Sequence, residues 1–78
     1  METIVLAPAM SAINKLISEL QLRTKTGASI VAIQRNGATL INPEPHEELL
    51  PGDDILLIGR PEQLSAAKSF LTVRQGAK

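Results

Sequence analysis

The chain has 78 residues, with eight Lys and Arg balanced by eight Asp and Glu, a single aromatic side chain (Phe70), a single histidine (His46) and no cysteine. A balanced charge and a lone aromatic leave neither the electrostatic footprint nor the stacking platform of a nucleic-acid binder, so no nucleic acid is expected as a partner. Apolar runs of about four to six residues fall far short of a membrane span.

A domain this small buries only roughly 60% of the surface that its unfolded chain exposes. Disulfides are ruled out and a structural metal is poorly served by one histidine, which makes self-association the expected source of extra stability. The absence of cysteine also fits a reducing, cytosolic setting.

In chain order, Thr3 to Leu6 is a β-branched and aliphatic run that reads as a first strand ending before Pro8. From Lys15 to Arg23 the residues Leu16, Ile17, Leu20 and Leu22 draw an apolar stripe along a short helix. Glu19 and Arg23 stand at the i, i+4 spacing of a helical ion pair, and Gly27 is placed as the C-terminal stop.

Ala28 to Arg35 and Ala38 to Ile41 read as two strands joined by Asn36-Gly37, the pair best suited to the positive φ angles of a type I′ turn. The resulting register sets Arg35 opposite Ala38, Ile33 opposite Leu40 and Val31 opposite Asn42 on one face, with Ile30, Ala32 and Ile41 on the other. Both faces are largely apolar. The helices of so short a chain can cover one of them, and a partner chain or a ligand is the natural cover for the second.

Pro43 to Glu48 is a polar loop. Glu44, Glu47, Glu48, Asp53 and Asp54 crowd a segment with no Lys or Arg, which reads as a solvated acidic loop; Pro43, Pro45, Leu49 and Pro51 interrupt any calcium-loop ligand series. Pro51-Gly52 supplies a tight turn into Ile55 to Ile58, whose four consecutive aliphatics predict a central strand covered on both sides. Pro61 suits the first turn of a last helix, with Leu64, Ala67 and Leu71 as its buried stripe, Ala66 and Phe70 beside it, and Arg60 as a poor N-cap. The order is β-α-β-β-β-α. This predicts one α+β domain over residues 1–78, helices on one face of a mainly antiparallel sheet, with 74–78 as a frayed tail.

Three pieces of sequence, in order and at this spacing, carry a resemblance: LQLRTKTG at Leu20–Gly27, IVAIQRNG at Ile30–Gly37, and Asn42-Pro43 followed by LLPGDDILLIG at Leu49–Gly59. Together they resemble the TrkA-C, or RCK C-terminal, family over about three quarters of the chain. Asn14 stands where the family usually has glycine, and Asn is well able to take the left-handed conformation such a turn requires. Arg60 stands where Thr is frequent.

The resemblance implies a dimeric regulatory domain on the cytoplasmic side of potassium channels, Trk- and Ktr-type uptake systems or cation/proton antiporters. In some members the dimer interface binds cyclic di-AMP. The nucleotide-binding domain that usually precedes the module is not within these residues. Position by position, the family's ligand pocket falls on Ile30, Val31, Arg35, Asn42 and Pro43. Aliphatic side chains suit a purine ring, an Asn amide suits a base edge, and an Arg fork suits a phosphate. In the expected register Ile30 lies opposite Val31, Arg35 and Asn42, so one flat surface cannot contain all five.

No catalytic residue and no metal ligand is assigned. His46 reads as an exposed loop residue, and the serines lack a nucleophile-elbow context. The expectation is a non-enzyme, with a plain dimerisation module that binds nothing as the alternative.

Overall fold

The computed structural model describes residues 1–73, so the tail assigned to 74–78 lies outside the described residues. Seven elements follow the chain: β1 (Glu2–Val5), α1 (Ile17–Leu20), α2 (Leu22–Thr26), β2 (Ser29–Arg35), β3 (Ala38–Ile41), β4 (Asp54–Ile58) and α3 (Pro61–Leu71). The strands form one sheet in the order β1-β4-β2-β3, each neighbouring pair antiparallel. The fold is the α+β arrangement expected.

Cross-strand pairing builds the core. Ile4 faces Ile55, which faces Ile33 on its other side, and all three are buried against Leu20, Leu22, Ala67 and Leu71 of the helices. α2 and α3 pack against each other over this face, and the Lys25 ammonium lies 5.4 Å from the centre of the Phe70 ring.

β4 is central, as its aliphatic run predicts, but it is covered on one face only. Ile55 and Leu57 are fully buried, whereas Leu56 is half-buried and Ile58 is 46% exposed. The opposite sheet face carries Val5, Leu56, Ile58, Ala32 and Ile41 together with Thr3, Gln34, Thr39 and Asp54, and among the described residues no helix lies over it.

Two local features depart from the sequence expectation. Lys15–Arg23 is not one helix: the backbone turns left-handed at Gln21 (φ 49°) and separates α1 from α2. Residues two apart on a helix do not share a face. An unbroken helix could not bury both Leu20 and Leu22, and the break lets both enter the core. It also dissolves the expected Glu19–Arg23 pair, because the Glu19 carboxylate accepts the Leu16 N–H at 2.7 Å.

The second departure is in β2, where the pairing with β4 shifts register between Ile30 and Ala32. The extra residue, Val31, interrupts the strict alternation of faces. Ile30 therefore stands opposite Leu57 and packs against the core, on the face of Ile33, while Ala32 and Ile41 stay on the open face. The expected grouping of Ile30 with Ala32 and Ile41 is thus corrected.

The punctuation residues act as read. Asn36 and Gly37 take φ of 52° and 80° in the hairpin turn, and Asn14 takes φ of 65°. Gly27 ends α2 at φ 84°, its N–H donating to the Arg23 carbonyl, and a Cβ there would meet the Gln63 amide at 2.5 Å. Pro61 opens α3 after Arg60, whose own N–H is accepted by Gln63 Oε1 at 2.8 Å.

The Arg60 side chain makes no cap hydrogen bond. Arg60→Thr should therefore add an acceptor at the helix start and stabilise the fold by about 1 kcal/mol. A thermal melt checks this, with a midpoint at or below that of the unaltered chain counting against it.

Candidate ligand site and its supporting loop

The segment between β3 and β4 is held from both ends. Asn42 turns left-handed (φ 52°) directly after β3 and donates its N–H to the Val31 carbonyl at 2.9 Å. The carbonyls of Pro45 and Glu47 then accept the first N–H groups of α1, Ser18 at 2.8 Å and Ile17 at 3.0 Å. Leu49 is buried in the core, and the Pro51-Gly52 turn closes as Asp53 donates to the Leu50 carbonyl at 3.1 Å.

Arg35 ties the loop down. Its Nε and Nη2 donate to the two oxygens of Asp53 at 2.8 and 2.7 Å, Nη1 donates to Glu47 at 3.0 Å, and Nη2 also donates to the Glu48 carbonyl at 2.9 Å. This is the two-pronged pairing that a planar guanidinium makes best. Asp53 is only 1% exposed and accepts a further hydrogen bond from the Leu50 N–H at 2.9 Å.

The acidic segment is therefore not simply a solvated loop. It lacks a basic residue in sequence, yet the fold delivers one from 18 positions away. Glu44, Glu48 and His46 do remain exposed, His46 beside Glu44.

The protonation of the pair follows. The hydrogen bond to Asp53 is the largest influence holding the Arg35 guanidinium protonated. Burial alone would push the Asp53 carboxyl up, but the hydrogen bonds from Arg35 and Leu50 outweigh it and hold the carboxyl below its ordinary value. A lowered folded value means that the stabilisation is complete above the unfolded carboxylate range and is lost as pH falls through the folded value. The urea midpoint should accordingly drop on acidification below about pH 4, and Asp53→Asn should flatten that limb. An identical acid limb in the variant would count against this.

The five residues singled out for a ligand do not form one cluster in a single copy of the chain. Val31 and Asn42 meet across the hairpin, with Pro43 next in sequence. Arg35 lies four residues further along the strand, about 13 Å away at an ordinary strand rise. Ile30 lines a separate concavity, a groove of about 390 Å³ between α1, residues 21–24, the start of β2 and Pro45. Sequence reasoning missed Asp53, Glu47 and this groove. Its Ser18, Arg23 and Ser29 carry no motif, while an acidic segment without any cation, beside a strand ending in Arg, was a usable cue to the first two.

Among the described residues no three His, Cys, Asp or Glu side chains converge as a metal site, and no helix is long and apolar enough to cross a membrane. Against known families, residues 1–72 match the TrkA-C domain. The chain belongs to the TrkA-C family.

Potassium channel protein 1 of Methanocaldococcus jannaschii is 36% identical over 58 residues, covering 74% of this chain and 17% of that protein. The TrkA-C module here thus spans under a fifth of the curated relative's length. Among solved structures, the RCK_C domain dimer of S. agalactiae BusR in complex with c-di-AMP superposes with a TM-score of 0.81 at 29% identity, covering 88% of this chain and 91% of that one. BusR in complex with its busAB-promotor DNA superposes at 0.83 and 29% identity, over 97% of this chain and 37% of that one. The expectation of no nucleic-acid partner is thus not carried by the comparisons, since a longer protein with a domain of this fold forms a complex with promoter DNA.

Proposed function

We propose that the chain is a non-catalytic, cytoplasmic regulatory module of a potassium or cation/proton transport system. It dimerises through the open face of its sheet and binds a cyclic dinucleotide such as cyclic di-AMP where two copies meet. The observation that carries the reading is the uncovered, largely apolar face: Val5 is 60%, Ile58 46% and Ile41 70% exposed on a sheet whose other face holds the core. Face-to-face burial of such side chains is worth about 25 cal/mol per Å² before the costs of association. A small domain needs that contribution.

Val31, Asn42 and Pro43 are the proposed ligand contacts between two copies, with Ile30 on the core-side face as a neighbouring wall. The Asn42 side chain is exposed and spends no hydrogen bond within the described chain, so its amide is available to a base edge. Arg35 acts chiefly by positioning: with its fork committed to Asp53, Glu47 and Glu48, it fixes the loop that begins at Asn42-Pro43. Regulation follows if the ligand binds one dimer geometry better than another, the difference being relayed to the transporter.

Calorimetry of cyclic di-AMP against the folded chain tests this. Saturable binding at one ligand per dimer, weakened by Asn42→Ala, is the expected result. The committed fork of Arg35 favours a second reading, a plain dimerisation module, and a dimer that is silent toward cyclic di-AMP would select it.

A further inference from the structure

Arg35 has little capacity left for a ligand's phosphate, whereas Arg23 has all of its own. Arg23 is exposed and makes no ion pair among the described residues, because the left-handed turn at Gln21 puts Glu19 in a different helix and Glu19 bonds the Leu16 N–H instead. It stands on the groove that Ile30 also lines. We infer that this groove binds the phosphate-bearing end of a nucleotide, with Arg23 as the guanidinium that meets the phosphate.

Three features support that occupant. The groove's walls include Ile17, Ile30 and Pro45, aliphatic surfaces suited to a ring, and Ser18 and Ser29 also line it, their hydroxyls making no hydrogen bond within the described chain. No Asp or Glu lines it, so its one charged group is a cation and an anion is the complementary ligand. Its volume of about 390 Å³ falls within the range of small-molecule sites and suits a single nucleotide unit.

The break at Gln21 thus does two things. It buries Leu20 and Leu22 together, and it turns an arginine that an unbroken helix would have paired into an open anion contact. Ile30, on the core-side face of β2, lines the groove and is next in sequence to Val31, whose carbonyl accepts the Asn42 N–H. The inference rests on the ligand-binding reading above for its choice of probes.

The test is a nuclear magnetic resonance titration of the ¹⁵N-labelled 78-residue chain with cyclic di-AMP, with adenosine monophosphate and with inorganic phosphate, following the backbone amides and the Arg23 Nε–H. Shifts centred on Ser18, Arg23 and Ser29 are expected, with affinity for the nucleotide falling roughly tenfold in Arg23→Gln and partly restored in Arg23→Lys. Both variants should melt like the original chain, since Arg23 is exposed and unpaired.

Shifts in the groove with adenosine monophosphate but none with cyclic di-AMP would keep the inference and remove the dinucleotide reading. Shifts with cyclic di-AMP confined to Val31 and Asn42, or Arg23→Gln binding as tightly as the original, would overturn the inference and leave that reading in place. Silence of the groove toward all three probes would overturn the inference as well.

Discussion

Arg35→Ala is expected to lower the free energy of unfolding by about 3 kcal/mol, the lower end of the cost of removing one partner from a buried ion pair, because Arg35 itself is 21% exposed. The reason is what remains behind. Asp53 is 1% exposed and would keep its charge, or be forced to take up a proton, with only the Leu50 N–H left to it. Natural domains have roughly 5–15 kcal/mol in total, and one of this size stands toward the low end. Urea denaturation should therefore show a fold near its limit of stability without any ligand present.

Arg35→Lys should recover little, because a single ammonium cannot span both Asp53 oxygens while also meeting Glu47 and the Glu48 carbonyl. Pairing Arg35→Ala with Asp53→Asn should cost clearly less than the two changes summed, as expected of groups in direct contact. If Arg35 served only a ligand's phosphate, Arg35→Ala would unfold at the same urea concentration as the original chain.

The second large effect is on assembly. Ile41→Asp is expected to weaken dimerisation by about 2 kcal/mol or more, roughly thirtyfold in the dissociation constant, by forcing a carboxylate into an apolar contact with no partner. Ile41 is 70% exposed in the single chain, so the fold itself should tolerate the change. Sedimentation equilibrium together with circular dichroism reads both quantities. A variant that remains as dimeric as the original would remove the open sheet face as the interface.

What the sequence made legible is tied to residues with one strong local preference. Asn36-Gly37, Gly27 and Pro61 each place a turn, a helix end or a helix start within a residue or so, because few other conformations suit them. The aliphatic run Ile55–Ile58 likewise located the central strand. It misled on coverage, since a four-residue apolar run looks the same whether its second face meets a helix or a second chain.

The features that shape the candidate site were harder to read, because they are settled by tertiary contacts. Gln21 has no marked preference for a left-handed conformation; burying Leu20 and Leu22 together imposes it. The extra residue at Val31 is unmarked by glycine or proline and follows from fitting β2 against both β3 and β4. The Arg35–Asp53 pair depends on β2 lying beside β4, where Gln34 faces Asp54, an arrangement that hairpin register alone does not reveal. The same pairing explains why the expected face of Ile30 was reversed while those of Ile33 and Leu40 held.

The central claim is that two copies meet through the open sheet face and that a cyclic dinucleotide favours their association. Sedimentation velocity of the 8.4 kDa chain across a concentration series, with and without cyclic di-AMP, tests it most directly. The account predicts a species of twice the chain mass that persists to lower concentration when cyclic di-AMP is present. A single species of 8.4 kDa at every concentration, unchanged by the nucleotide, would contradict it.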